Sequence, residues 1–330
     1  MNFKKILCAA ASLAMAASIF TGCGKQTVTD RPDKLKIVAT IFPEYDWVRE
    51  ILGGTAENAE ITLLLDSGVD LHSYQPTVED LVRISDCDLF LYVGGESDSW
   101  AGDALKNETN PERKVLSLLE VLGDAVKTEE TVEGMQPEAH EEAEDHDHEE
   151  EQDEHVWLSL KNAQTLVSAI SQALQEIDSV SMEVYAANTA NYLQKLSALD
   201  TAYRSAVDGG TTKTILFGDR FPFRYLADDY SLHYYAAFVG CSAETEASFE
   251  TISFLARKVD EEKLPCVLTI EGTQHKIAET IVQNTAGKNQ RVLTMDSMQS
   301  TTSKDAENGV TYLSIMEKNL AVLKEALEVK

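Results

Sequence analysis

Two isolated histidines sit in contexts suited to metal ligation: His72 in Asp70-Leu71-His72-Ser73-Tyr74-Gln75-Pro76, and His155 in Glu154-His155-Val156-Trp157-Leu158. Between them, from Thr128 to His155, there are 14 Asp or Glu in 28 residues and no Lys or Arg, which is half of the formal charge of -28. Four of the chain's seven histidines, His140, His146, His148 and His155, lie in or at the end of this tract. Imidazoles among carboxylates suit borderline-soft divalent ions, zinc first among them. The plainer alternative is a solvated insert, because so polar a segment cannot bury enough apolar surface to order itself. On either reading it should be a mobile loop, and ordering it would make its metal affinity weaker than that of a preformed site.

The elements that must position these groups begin after an N-terminal leader. Lys4 and Lys5 precede a mostly apolar run from Ile6 to Phe20, followed by Thr21-Gly22-Cys23. The run is too short to span a bilayer comfortably and has the layout of an export signal, so residues 1–22 are set aside from the fold. The Gly22-Cys23 junction resembles a lipobox, in which Cys23 is lipidated and becomes the new N-terminus, although Phe20 stands where Leu is usual; an ordinary signal-peptidase site is the alternative. Residues 23–33 then form the lipidated cysteine and a polar tether on the extracytoplasmic face of the membrane. A mature chain of 308 residues is long enough for two lobes with separate cores, and it has no second apolar stretch of membrane-spanning length. Cys87, Cys241 and Cys266 remain, an odd number that cannot complete a disulfide framework. They read as buried small residues, with a Cys241-Cys266 bridge left open.

Outside the insert, short apolar runs alternate with helical patterns, which predicts an α/β fold of two lobes, each a mainly parallel sheet flanked by helices. Strands are expected at 35–41, 61–65, 89–93, 214–217, 233–238, 266–270 and 291–295. Helices are expected at 43–52, 77–85, 223–230, 248–263, 276–286 and 312–327. Met182 to Val207 is one uninterrupted helical pattern ending at Gly209-Gly210, read as a linker between the lobes that leaves little hinge freedom. The expected division is an N-terminal metal-binding lobe over 34–180, with the acidic loop at 128–154, a linker helix over 181–209 and a C-terminal lobe over 210–330.

Open α/β sheets bind ligands beyond the carboxyl ends of their strands. His72 lies in the loop after the second strand, Asp219 directly follows the strand at 214–217, and Glu271 and His275 directly follow the strand at 266–270. Facing lobes would bring these groups into one cleft around a tetrahedral ion. Each has a plainer alternative: His72 could cap the helix near Pro76, His155 could be the last member of the acidic tract, and His275 could be an exposed first-turn residue. His233, opening a strand beside Tyr234 and Tyr235, reads as structural.

Taken together, these stretches resemble the zinc- and manganese-binding lipoproteins of ABC importers, the solute-binding class whose two lobes are joined by one rigid helix. Leu71 to Thr77 with Asp80-Leu81 is similar to that family's first-ligand stretch, and Glu154-His155-Val156-Trp157-Leu158 to its second. Tyr185-x-x-Asn188 through Leu196-x-x-Leu199-Asp200 is similar to the linker helix. The third-ligand stretch departs from the pattern: aligning Tyr225-Leu226 puts Arg220 at the usual ligand position, where an arginine cannot coordinate a cation. Asp219 is then the nearest replacement, and Arg220 could instead pair with an acidic ligand. In the fourth stretch the family's strand-end Glu corresponds to Glu271, and His275 stands four residues on. A His72/His155/His275 set would favour zinc over manganese, which prefers more oxygen.

The resemblance implies capture of Zn2+, or alternatively Mn2+, in an interlobe cleft and its delivery to an ABC permease driven by a cytoplasmic ATPase. It further implies a monomer, no enzymatic activity and no nucleic-acid partner. The chain contains no Gly-x4-Gly-Lys-Ser/Thr loop, so it is not the ATPase, and no His-Glu-x-x-His helix, which counts against a zinc hydrolase. Surface adhesion with metal binding is a secondary alternative. Because imidazoles must be neutral to ligate, affinity is expected to fall steeply below about pH 6.

Overall fold

Two four-stranded parallel sheets carry the site. In this computed structural model the described residues are 34–136, 151–242, 246–272 and 275–329. The expected export signal, Cys23 and its tether, and His140, His146 and His148 lie outside them. Among the described residues, no helix is long and apolar enough to cross a membrane.

The first lobe runs β1 (Leu35–Ala39), α1 (Phe42–Leu52), β2 (Ala59–Leu63), α2 (Val78–Asp86), β3 (Leu89–Tyr92) and β4 (Lys114–Ser117), with strand order β2-β1-β3-β4. Then come α3 (Leu160–Ile177) and the 28-residue α4 (Met182–Gly209). The second lobe runs β5 (Thr214–Arg220), α5 (Arg224–Tyr230), β6 (His233–Phe238), α6 (Phe249–Glu262), β7 (Cys266–Thr269), α7 (Lys276–Asn284), β8 (Arg291–Thr294) and α8 (Tyr312–Ala326), in the order β6-β5-β7-β8. β1, β3 and β7 are buried along most of their length, as strands covered on both faces must be. β5 reaches three residues further than its apolar run, with a register irregularity between Phe217 and Arg220 that displaces Asp219 and Arg220 from regular pairing.

Thr77 starts α2 with a capping box: its side chain accepts from Asp80 N at 3.2 Å, and the Asp80 carboxylate accepts from Thr77 N at 2.9 Å. The cap is therefore not His72. Sequence reading did not place β4 or α3. β4 is short and only part-buried, but α3 buries Ala163, Leu166, Val167, Ile170, Ala173 and Leu174, a helical spacing.

The expectation of separate cores is not met. One apolar cluster runs through both lobes, and a smaller one lies between the second sheet and α6 and α7. The reason is aromatic. Trp47 of α1 meets Tyr312 of α8 edge-on, with ring centroids 5.2 Å apart. Tyr312 N donates to Asp46 at 2.8 Å, and its hydroxyl donates to Trp157 O at 2.7 Å. Trp157 Nε1 donates to Ser297 O at 2.9 Å. Helix α4 packs against α1, α3 and α8.

The insert also differs from the expected loop at both of its ends. Thr128 and Gln152 form an antiparallel bridge, flanked by Glu129 N donating to Glu151 O and Asp153 N to Lys127 O, both at 2.8 Å. Further along, Gln136 N donates to Ala237 O at 2.9 Å on β6, an edge strand whose outward carbonyl needs a partner, and Met135 is buried.

Candidate metal centre

His72 lies on a single 3-10 turn, Leu71–Ser73, whose start is fixed by Asp70 Oδ1 accepting from His72 N at 3.0 Å. His155 immediately precedes a second such turn, Val156–Leu158, all three residues of which are buried. That apolar plug holds the imidazole at 0% exposure where the insert re-enters the fold. The anchor was legible in the sequence; its conformation was not, because three residues are too few to show a period.

Both rings turn Nδ1 toward protein groups. His155 Nδ1 lies 3.1 Å from Asp153 Oδ1, which also accepts from His155 N at 2.9 Å. His72 Nδ1 lies 2.8 Å from Ser97 Oγ and 3.5 Å from Glu154 Oε2. Ser97 N in turn donates to Glu154 Oε1 at 2.9 Å. With the Nδ1 protons assigned to these partners, each Nε2 presents a lone pair, and the Gln299 side-chain amide nitrogen lies 3.4 Å from that of His155. The two Nε2 atoms face each other at 3.3 Å. For Zn–N bonds of about 2.0–2.1 Å in a tetrahedral site, two ligating nitrogens stand roughly 3.3–3.4 Å apart.

Burial, with the neighbouring His155 adding to it, pushes the His72 pKa down to about 3. Proton competition at this imidazole therefore sets in far below the pH of about 6 expected for a free one. Asp70, whose Oδ1 is 4.0 Å from His72 Nε2, is engaged from the second lobe by Arg220 in a close ion pair. Burial would raise the Asp70 carboxyl, but the Arg220 charge and hydrogen bond outweigh it and hold it below the usual range.

A third donor lies beside the histidines. The metal-ligating atoms of His72, His155 and Cys241 all fall within 4.8 Å of one another. Cys241 follows β6, and Gly240 allows the approach: a Cβ at position 240 would come within 3.1 Å of His155 Nδ1 and 3.0 Å of Phe221 O. Cys241 N donates to Glu129 Oε1 at 2.9 Å. Burial, then the charges of Glu129, Asp153 and Glu154, push its thiol well above the ordinary value. These carboxylates give the cleft a potential that favours a cation.

The other expected site residues are placed differently. Asp219 Oδ2 accepts from Thr269 Oγ1 at 2.6 Å and from Ile270 N at 3.4 Å, while His275 Nδ1 lies 3.1 Å from Thr269 Oγ1. These two meet each other's partner but are not in the donor group of His72 and His155. Glu271 accepts from Ser297 N at 2.6 Å, Ser297 Oγ at 2.7 Å and Gln299 N at 3.0 Å, which fixes the loop after β8. Cys87, Cys241 and Cys266 are free thiols, so the bridge left open between the last two does not form. Sequence reading missed Cys241 as a donor. The signal was its position just past a strand end, the same rule that pointed to Asp219.

The family described as ZnuA, zinc-uptake complex component A periplasmic, matches residues 37–326. The zinc-binding lipoprotein AdcA of Streptococcus pneumoniae is 32% identical over 330 residues, covering 98% of this chain and 61% of that protein. The chain thus spans less than two thirds of the length of its streptococcal relatives. The high-affinity zinc uptake system protein ZnuA of Bacillus subtilis is 28% identical, with 99% of each chain covered. Among solved structures, the Zn(II)-bound ZnuA-like domain of Streptococcus pneumoniae AdcA superposes with a TM-score of 0.68 at 28% identity, covering 89% of this chain and 99% of that one. The match over almost the whole described fold places this protein in the ZnuA family of zinc-uptake components.

Proposed function

We propose that this protein is the extracytoplasmic, lipid-anchored capture component of an ABC-type zinc importer, a binding protein and not a catalyst. It takes one Zn2+ into the cleft through His72 and His155 and hands it to a membrane permease powered by a cytoplasmic ATPase, with Cys23 as the lipid attachment. The observation that carries this reading is the pair of Nε2 lone pairs held face to face at 3.3 Å with both Nδ1 atoms engaged by protein. Two lone pairs so placed repel each other unless a cation lies between them. Nitrogen donors favour zinc over manganese. Asp219 and His275, tied to Thr269, hold the end of β7 and are second to the histidines in this reading. Relatives named for zinc binding and for zinc uptake support the same metal.

The test is competitive zinc titration against a chromophoric chelator, with His72→Ala and His155→Ala in parallel. One tight site, lost in both variants, is expected. A tight site indifferent to both would sink the cleft assignment.

A further inference from the structure

Resting on that reading, we propose that Cys241 supplies the third protein ligand, as a thiolate, so that the ion is held by two imidazole nitrogens and one sulfur. The first support is proximity: among the described residues, Cys241 Sγ is the one donor that groups with a ring nitrogen of His72 and one of His155, the three atoms lying within 4.8 Å of one another. For a tetrahedral ion with Zn–N of about 2.0–2.1 Å and Zn–S of about 2.3 Å, nitrogen and sulfur stand about 3.6 Å apart, so at most about 1.2 Å of closure is needed.

A second, independent support is the loop itself. Gly240 packs closely on His155, so that a Cβ at position 240 would require the ring or Phe221 O to give way by a few tenths of an ångström. Glu129 grips the Cys241 amide from the stem of the acidic insert, fixing the thiol's backbone beside the histidines.

The third support is that the other candidate donors from the second lobe lie elsewhere. Asp219 is bound to Thr269 and Glu271 to the 297–299 loop, and His275, with Nδ1 against Thr269, does not group with the two histidines. On binding, the thiol proton leaves to solvent and the sulfur forms the bond to zinc, with no change of oxidation state.

Two measurements test this. Co2+ replacing zinc should give an intense near-ultraviolet sulfur-to-metal charge-transfer band in the wild type and in Cys266→Ser, and no such band in Cys241→Ser. Cys241→Ser should also weaken zinc binding by more than the roughly 10–100-fold that loss of an orienting partner costs. X-ray absorption of the zinc-loaded wild type should show one sulfur at about 2.3 Å, a readout that does not depend on a variant folding. A shell of nitrogen and oxygen alone, with the His72-dependent site intact, overturns the cysteine assignment and leaves the zinc reading standing. Loss of that reading looks different: tight binding that ignores His72→Ala and His155→Ala removes the cleft, and Cys241 with it.

Discussion

The two strand-end clusters have similar residues at similar addresses, but only one of them brings its donors together. In the first, His72 and His155 turn their Nδ1 atoms to Ser97, Glu154 and Asp153 and aim their Nε2 atoms at each other, with Gln299 Nε2 3.4 Å from that of His155. In the second, Asp219 Oδ2 accepts from Thr269 and Ile270 and His275 Nδ1 lies against Thr269 Oγ1, but neither residue joins a group of three metal-binding side chains among the described residues. Location past a strand marks a residue as able to meet a ligand. Whether it does depends on whether its donor atom converges with others on one point.

The contrast breaks most directly with His155→Ala, for which zinc affinity should fall more than about 100-fold, beyond the effect of losing an orienting partner; chelator competition reads it. Asp153→Asn keeps the ligand but loosens its ring and should cost about 10–100-fold in the same assay. Asp219→Asn and His275→Ala should leave affinity within about threefold while lowering stability by about 1 kcal/mol each, the net worth of a hydrogen bond, read by urea unfolding. If either abolished zinc binding, the two clusters would have to be one site.

Acid sensitivity sharpens the same point. In the metal-free protein His72 is held at about 3, below its ordinary 6.5, so the unfolded chain takes up the proton first. Its contribution to stability is complete above pH 6.5 and is lost as pH falls through that value toward 3. Melting temperatures should decline on acidification through this window, and His72→Gln should flatten the decline. The smallest effect is expected from deleting Pro137 to Glu150: zinc affinity at the cleft should not change, because the stem residues Glu129 and Asp153 remain.

How much of this was legible in the chain varied with the range of the interaction. Period and turn residues located β1, α1, β6 and α4 to within a few residues, because strand alternation and helical spacing are local. His72 and His155 stood out for the same reason, each carried by a distinctive short stretch. Arg220 was visible as an arginine where a ligand was expected, yet its partner Asp70 lies 150 positions away and no local pattern could single it out. Cys241 looked like a small buried residue because the reasons it lies in the cleft, Gly240 against His155 and Glu129 on its amide, are contacts across lobes. The shared core was hidden likewise: nothing in the apolar run of α1 announces that Trp47 will meet Tyr312.

That Trp47–Tyr312 contact bears on how fast the protein can load. Parting the lobes like a clamshell would drag Tyr312 from beneath Trp47 and strip it of its bonds to Asp46 and Trp157, exposing aromatic surface at a cost of several kcal/mol, by the rough worth of a buried aromatic side chain. Slow zinc exchange in this protein would then measure the breaking of metal–ligand bonds, with the scaffold acting as a fixed jig.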